Sequence, residues 1–134
     1  MSEAGYSGTA LPKKLGIREA SRLLVIHAPA SLWSRLEPLP DGVEIVEDVA
    51  RPAEVMVVFA ERVAEVLRWL ARLEPLLERG QRLWVAWPKK ASGRPTDLTF
   101  EVVQHEGLAL GLVDTKVCAV DEVWSGLCFM RRRV

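Results

Sequence analysis

Unbroken apolar runs stand at three places along the chain: Leu23-Leu24-Val25-Ile26, Val55-Met56-Val57-Val58-Phe59 and Leu83-Trp84-Val85-Ala86-Trp87. Such runs predict strands covered on both faces. Val43-Glu44-Ile45-Val46 alternates instead, and predicts a shorter strand between the first two runs. Val63, Val66, Leu67, Leu70, Leu73 and Leu77 fall at offsets 0, 3, 4, 7, 10 and 14, which is one stripe of an amphipathic helix over 61–79. Pro75 lies inside that stripe and should kink the helix or restart it as a short last turn, and Gly80 ends it. Thr96 suits the N-cap of a second helix opening at Asp97, with Leu98, Val102, Val103 and Leu110 inward and Gly111 at its end. Two further strand-like runs, 112–120 and 124–131, flank Asp121-Glu122 and predict an antiparallel hairpin.

The remaining segments are less regular. Pro12 and Gly16 bracket one helical turn at 11–17. Pro29, Pro38, Pro40 and Gly42 argue against a long helix between the first two strands. Residues 1–10 read as a flexible N-terminal arm, and 11–134 as a single domain. Strands alternating with helices, then a hairpin, define the fold class: α/β, a mainly parallel Rossmann-like three-layer sheet with a C-terminal antiparallel hairpin.

Composition narrows the function. With 134 residues and 49% hydrophobic positions, the chain can bury a core of its own. Lys and Arg total 18, and Asp and Glu total 18, so no global charge directs it to nucleic acid or a membrane. Locally the balance breaks: 79–94 holds Arg79, Arg82, Lys89, Lys90 and Arg94 and no acid, and Arg131-Arg132-Arg133 is basic. Cys118 and Cys128 form no CxxC or Cys/His cluster, which argues against zinc and reads as two small buried hydrophobes. The N-terminal residues lack the apolar region of a secretion signal, so a reducing cytoplasmic setting is expected.

Four segments carry a resemblance. GYSGTALPKKLGI (5–17), LWVAWPKKASG (83–93), TDLT (96–99) and GLVDTKVCAVDEVWSGL (111–127) resemble the bacterial family known as domain of unknown function 3052. That resemblance brings no activity with it. The order of elements in the second half is also similar to class I S-adenosylmethionine-dependent methyltransferases. That similarity implies a fold, since function resides in sites grafted on folds. It also implies a glycine-rich loop after the first strand, where backbone approaches the cofactor. Here that loop reads His27-Ala28-Pro29-Ala30-Ser31-Leu32-Trp33, without glycine and with one backbone donor removed at Pro29. Glu47 and Asp48 stand where a ribose-binding acid would, but without those glycines no cofactor is expected.

Ligands of open parallel sheets bind outside the carboxyl ends of the strands. Those ends present His27, Glu61 and the loop 88–97. In that loop Lys89, Lys90 and Arg94 supply charge, Ser92 a hydroxyl and Gly93 close backbone approach. Thr96 and Asp97 open a helix whose first N–H groups lack intrahelical partners. A phosphate or carboxylate suits such a place, and a merely solvated basic loop accounts for the same residues. No P-loop or nucleophile elbow is present. His27, Asp114 and Lys116 are candidates to line a cleft, and a histidine side chain is a candidate general base. The leading expectation is a non-catalytic domain binding a small anionic molecule. An enzyme using the 88–97 loop on a phosphate- or carboxylate-bearing substrate is one alternative. A protein-interaction module, or a homodimer through the hairpin edge, is the other, with Trp33 and Trp124 as candidate exposed anchors.

Overall fold

The apolar runs at 23–26, 55–59 and 83–87 fold as neighbouring strands at the centre of one six-stranded sheet. A computed structural model describes residues 9–49 and 51–132. The elements are α1 (Leu11–Leu15), β1 (Arg22–Ile26), α2 (Leu32–Arg35), β2 (Glu44–Val46), β3 (Val55–Phe59), α3 (Val63–Leu73), β4 (Arg82–Pro88), α4 (Phe100–Ala109), β5 (Leu112–Ala119) and β6 (Trp124–Arg131). The sheet order is β2-β1-β3-β4-β6-β5. β2, β1, β3 and β4 run parallel, β6 runs antiparallel to β4, and β5 pairs with β6 as a hairpin. The α/β class and the terminal hairpin therefore stand as the sequence predicts them. Residues 1–8, most of the expected arm, lie outside the described residues.

Each face of the sheet builds its own core. Because side chains alternate along a strand, Trp84 and Trp87 enter opposite layers. One layer packs Met56, Val58, Leu83 and Val85 against Val66, Leu70 and Leu73 of α3 and Val103 of α4. The other packs Val55, Val57, Phe59 and Trp84 under Leu11 and Leu15 of α1 and Leu32 of α2. Each fully buried Leu, Val or Phe contributes about 1.5–3 kcal/mol by leaving water. The second face is covered by helices of only five and four residues. Among the described residues, no helix is long and apolar enough to cross a membrane.

Several details depart from the sequence expectation. Leu67 lies at the flank of the α3 stripe and is 47% exposed. The break at Pro75 is as expected: the chain leaves α3 as one 3₁₀ turn at Glu74–Leu76, where Pro75 cannot continue the α-helix. The second helix opens at Phe100 rather than Asp97, with Thr99 as its N-cap, the hydroxyl accepting the Val102 N–H at 3.2 Å. Thr96 is therefore not a helix cap. Leu98 is buried ahead of the helix, and Leu110, just past its end, is 40% exposed. Trp124, read as a candidate exposed anchor, is 5% exposed, whereas Trp33 is 39% exposed.

Candidate functional site

Strand order reverses direction between β1 and β3: β2 lies on one side of β1, and the chain returns to place β3 on the other. Connections then leave neighbouring carboxyl ends in opposite directions and open a crevice there. A cleft of about 310 Å³ occupies this point, lined by His27, Pro29, Phe59, Glu61, Glu65, Arg94 and Trp124. That volume sits at the lower end of small-molecule sites, roughly 300–1,000 Å³.

Each wall has a local cause. β1 ends at Ile26, and His27 takes a left-handed backbone, φ 58°, which turns the chain out of the sheet. Its ring meets Trp69 of α3 edge-on, with centroids 5.7 Å apart. β3 ends at Phe59, whose ring meets Trp124 edge-on at 5.2 Å. Asp121 accepts the N–H groups of Val123 and Trp124, both at 2.8 Å, and so fixes the tight turn that delivers Trp124. The Arg94 guanidinium lies over the Trp124 ring, 5.3 Å from its centroid, and 3.8 Å from the Glu61 carboxylate. Glu65 reaches back from the third position of α3 to accept the N–H groups of Glu61 (2.8 Å) and Arg62 (3.0 Å).

The 88–97 loop is built from its own hydrogen bonds. The Ser92 hydroxyl donates to the Lys89 carbonyl at 2.7 Å and accepts the Arg94 N–H at 3.2 Å. Gly93 closes the 3₁₀ turn Lys90–Ser92 with φ 75°, a left-handed geometry that glycine adopts without strain. Thr96 donates to the Glu61 carbonyl at 2.6 Å and accepts the Leu98 N–H at 3.1 Å. Asp97 accepts the Val63 N–H at 2.8 Å, so this acid caps α3 instead of its own helix. The loop is thus tied to the end of β3 and the start of α3, and Arg94 is the residue that it lends to the cleft.

The structure separates the other candidates. Asp114 and Lys116 lie on β5, four strand spacings from β1, roughly 19 Å across the sheet. Asp114 accepts from the Gln104 amide at 3.0 Å, on the α4 side. Lys116 lies with Cys118 at a different pocket. His27, Asp114 and Lys116 therefore do not share a cleft. Sequence reasoning missed Glu65 and Phe59 as lining residues. The Glu at the third helical position was a legible capping signal, whereas the Phe59–Trp124 contact joins positions 65 residues apart, where no local pattern operates.

No family model matches the chain, and no curated protein does. Solved structures do. A methyltransferase from Pyrococcus furiosus superposes with a TM-score of 0.58 at 14% identity, covering 99% of this chain and 88% of that one. A SAM-dependent methyltransferase from Aquifex aeolicus gives 0.63 at 13% identity, covering 90% and 87%. TrmN from Thermus thermophilus gives 0.60 at 12% identity, and the match covers 92% of this chain but 47% of TrmN. At these identities the likeness establishes the fold alone: this is a methyltransferase-like, Rossmann-like α/β sheet.

Proposed function

We propose that the chain is a non-catalytic domain that binds a small carboxylate- or phosphate-bearing molecule in the crevice outside β1 and β3. The observation that carries this reading is the meeting of Arg94, Glu61 and His27 over the aromatic pair Phe59–Trp124 at the switch point. The Arg94–Glu61 pair is loose, 3.8 Å, with both side chains 47% exposed. Such a pair contributes at most about 1 kcal/mol, so the guanidinium can turn to a ligand at small cost. Its planar fork matches two oxygens of a carboxylate or phosphate, and the Trp124 face holds it in place. The described residues of the cleft offer no Ser, Thr or Cys beside His27, which supports binding over nucleophilic chemistry.

S-adenosylmethionine fits this cleft poorly. The segment after β1 has a histidine where glycine would be unstrained, and Pro29 lacks an N–H. The Leu32 N–H is already given to the Pro29 carbonyl at 3.0 Å. The resemblance to the domain of unknown function 3052 family is compatible with this reading and adds no substrate to it. A reducing cytoplasm suits the free thiols of Cys118 and Cys128.

Titration with inorganic phosphate and with citrate, followed by backbone amide shifts, tests the proposal. Shifts centred on Ala28, Glu61 and Arg94, lost in Arg94→Gln, are expected. If Lys89→Ala/Lys90→Ala abolishes binding and Arg94→Gln does not, the anion lies on the loop and the cleft reading fails. A homodimer is the second reading, favoured by β5 as an edge strand with Val117 60% exposed. The bulge between Asp114 and Lys116, and the Lys116 ammonium, work against continuous pairing there. Sedimentation equilibrium of the parent and Val117→Lys decides it.

A further inference from the structure

We infer that the ligand of the switch-point crevice is a zwitterion, with a carboxylate and an ammonium on one carbon as in a small α-amino acid; the inference rests on the anion reading of that crevice. Two carboxylates, Glu61 and Glu65, line the cleft against one guanidinium, Arg94, and neither Lys89 nor Lys90 lines it. Both acids are built in. The Glu61 backbone is pinned on two sides: its N–H goes to Glu65 Oε1 at 2.8 Å, and its carbonyl accepts the Thr96 hydroxyl at 2.6 Å. Glu65 is pinned in turn, because the same oxygen accepts the Arg62 N–H at 3.0 Å.

An anion without an amine meets a conflict here. When Arg94 turns to it, Glu61 loses its counter-charge, since their contact at 3.8 Å is the one ion pair that either residue makes among the described residues. Glu61 and Glu65 then both face the bound negative charge, and like charges at close range repel. The gain at Arg94 is offset by the loss at Glu61, and the offset grows with the charge of the anion. A zwitterion removes the conflict. Its carboxylate takes the Arg94 fork and its ammonium takes the Glu61 carboxylate, so one loose ion pair gives way to two charge-assisted ones. The two charges must stand close together in the ligand, because Arg94 and Glu61 are 3.8 Å apart. A single carbon bearing both meets that demand, and a cleft of about 310 Å³ has room for it. The Trp124 ring, 5.3 Å from the guanidinium carbon, keeps Arg94 beside Glu61 through the exchange.

The experiment titrates the full chain with L-alanine, L-lactate, isopropylamine and inorganic phosphate, followed by backbone amide shifts. Lactate replaces the ammonium of alanine with a hydroxyl, and isopropylamine replaces its carboxylate with a methyl. Saturable shifts at Glu61, Glu65 and Arg94 are expected at millimolar L-alanine. The other three should each bind at least about tenfold more weakly, the worth of one charge-assisted hydrogen bond. Glu61→Gln keeps an oxygen and loses the charge, so the advantage of alanine over lactate should shrink to about twofold or less. That side chain is half-exposed, so the variant should melt within a few degrees of the parent. Should it not fold, the ranking of ligands on the parent decides alone. Lactate or phosphate binding as tightly as alanine, and lost in Arg94→Gln, overturns the inference and leaves the anion reading standing. Isopropylamine binding as tightly as alanine overturns both, because the guanidinium then has no role. Binding of none of the four, or shifts confined to residues outside the crevice, also overturns both. An advantage of alanine undiminished in Glu61→Gln overturns the inference alone, since the ammonium then lies elsewhere.

Discussion

The Asp97 carboxylate accepts the backbone N–H of Val63 at 2.8 Å, so a residue of the fourth strand's exit loop caps the helix that follows the third strand. Val63 is the first residue of α3, where N–H groups have no intrahelical partner. Asp97→Ala removes the acceptor and should cost about 1 kcal/mol, the usual worth of a cap. In a domain of this length that lowers the melting temperature by roughly 3–5 °C. Asp97→Asn keeps an oxygen acceptor and loses only the favourable charge at the helix pole, so it should fall between parent and Ala. Urea unfolding of the three proteins checks the order.

The same bond shows where sequence reading stops. Thr96-Asp97 has the composition of a helix start, and a helix does start nearby, at Phe100 under Thr99. Local preference marked the neighbourhood but not the residue: the Asp97 carboxylate is taken by the Val63 N–H, and the Thr96 hydroxyl donates to the Glu61 carbonyl while accepting the Leu98 N–H. The strands were legible for the opposite reason: Leu23 is buried on one face of the sheet and Met56 and Val85 on the other, and an unbroken apolar run records cover on both faces directly. Half of the candidate site was legible. His27, Glu61 and Arg94 follow strand ends. Trp124 under Arg94 was not, since that contact depends on β6 inserting beside β4 rather than at the sheet edge.

Gly107 tests a competition between helix propensity and packing. In the interior of α4, Gly→Ala would ordinarily stabilise by about 1 kcal/mol. Here a Cβ would lie 2.1 Å from Cε1 of Phe129, whose side chain is 0% exposed and cannot swing into solvent. Overpacking of this kind typically costs about 1–3 kcal/mol. Gly107→Ala should therefore destabilise, and Phe129→Leu in the same chain should recover part of the loss. A more stable Gly107→Ala would mean that α4 can lift off the sheet without cost.

Burial raises the Cys118 thiol from 9.0 to about 11, with Lys14 opposing and Cys128 adding to the rise. Between these values the unfolded chain has lost its thiol proton while the folded chain keeps it. The unfolded state then binds fewer protons, so stability falls as pH rises from 9 to 11 and is unaffected by this group below pH 8. Cys118→Ala should flatten the decline by about 1–2 kcal/mol over that window. Iodoacetamide labelling of the native chain gives the kinetic counterpart: the Cys118 rate should keep climbing above about pH 10, where an ordinary thiol has nearly levelled off.

The last prediction concerns the backbone at His27. Its φ of 58° is a conformation that costs a non-glycine residue about 1 kcal/mol or more. The edge-on contact with Trp69 returns about 0.5–1.5 kcal/mol of that. His27→Ala keeps the strain and loses the contact, whereas His27→Gly loses both. The Gly variant should therefore be more stable than the Ala variant by about 1 kcal/mol and close to the parent. S-adenosylmethionine at about 1 mM should raise the melting temperature of neither the parent nor His27→Gly, since a ligand of the native state must do so above its dissociation constant. A saturable rise in the parent would overturn the argument that this loop cannot grip the cofactor. A rise in His27→Gly alone would place the whole obstacle in one side chain. No rise in either leaves it in Pro29 and in the Leu32 N–H already engaged by the Pro29 carbonyl, a loop closed on itself where an open one would be needed.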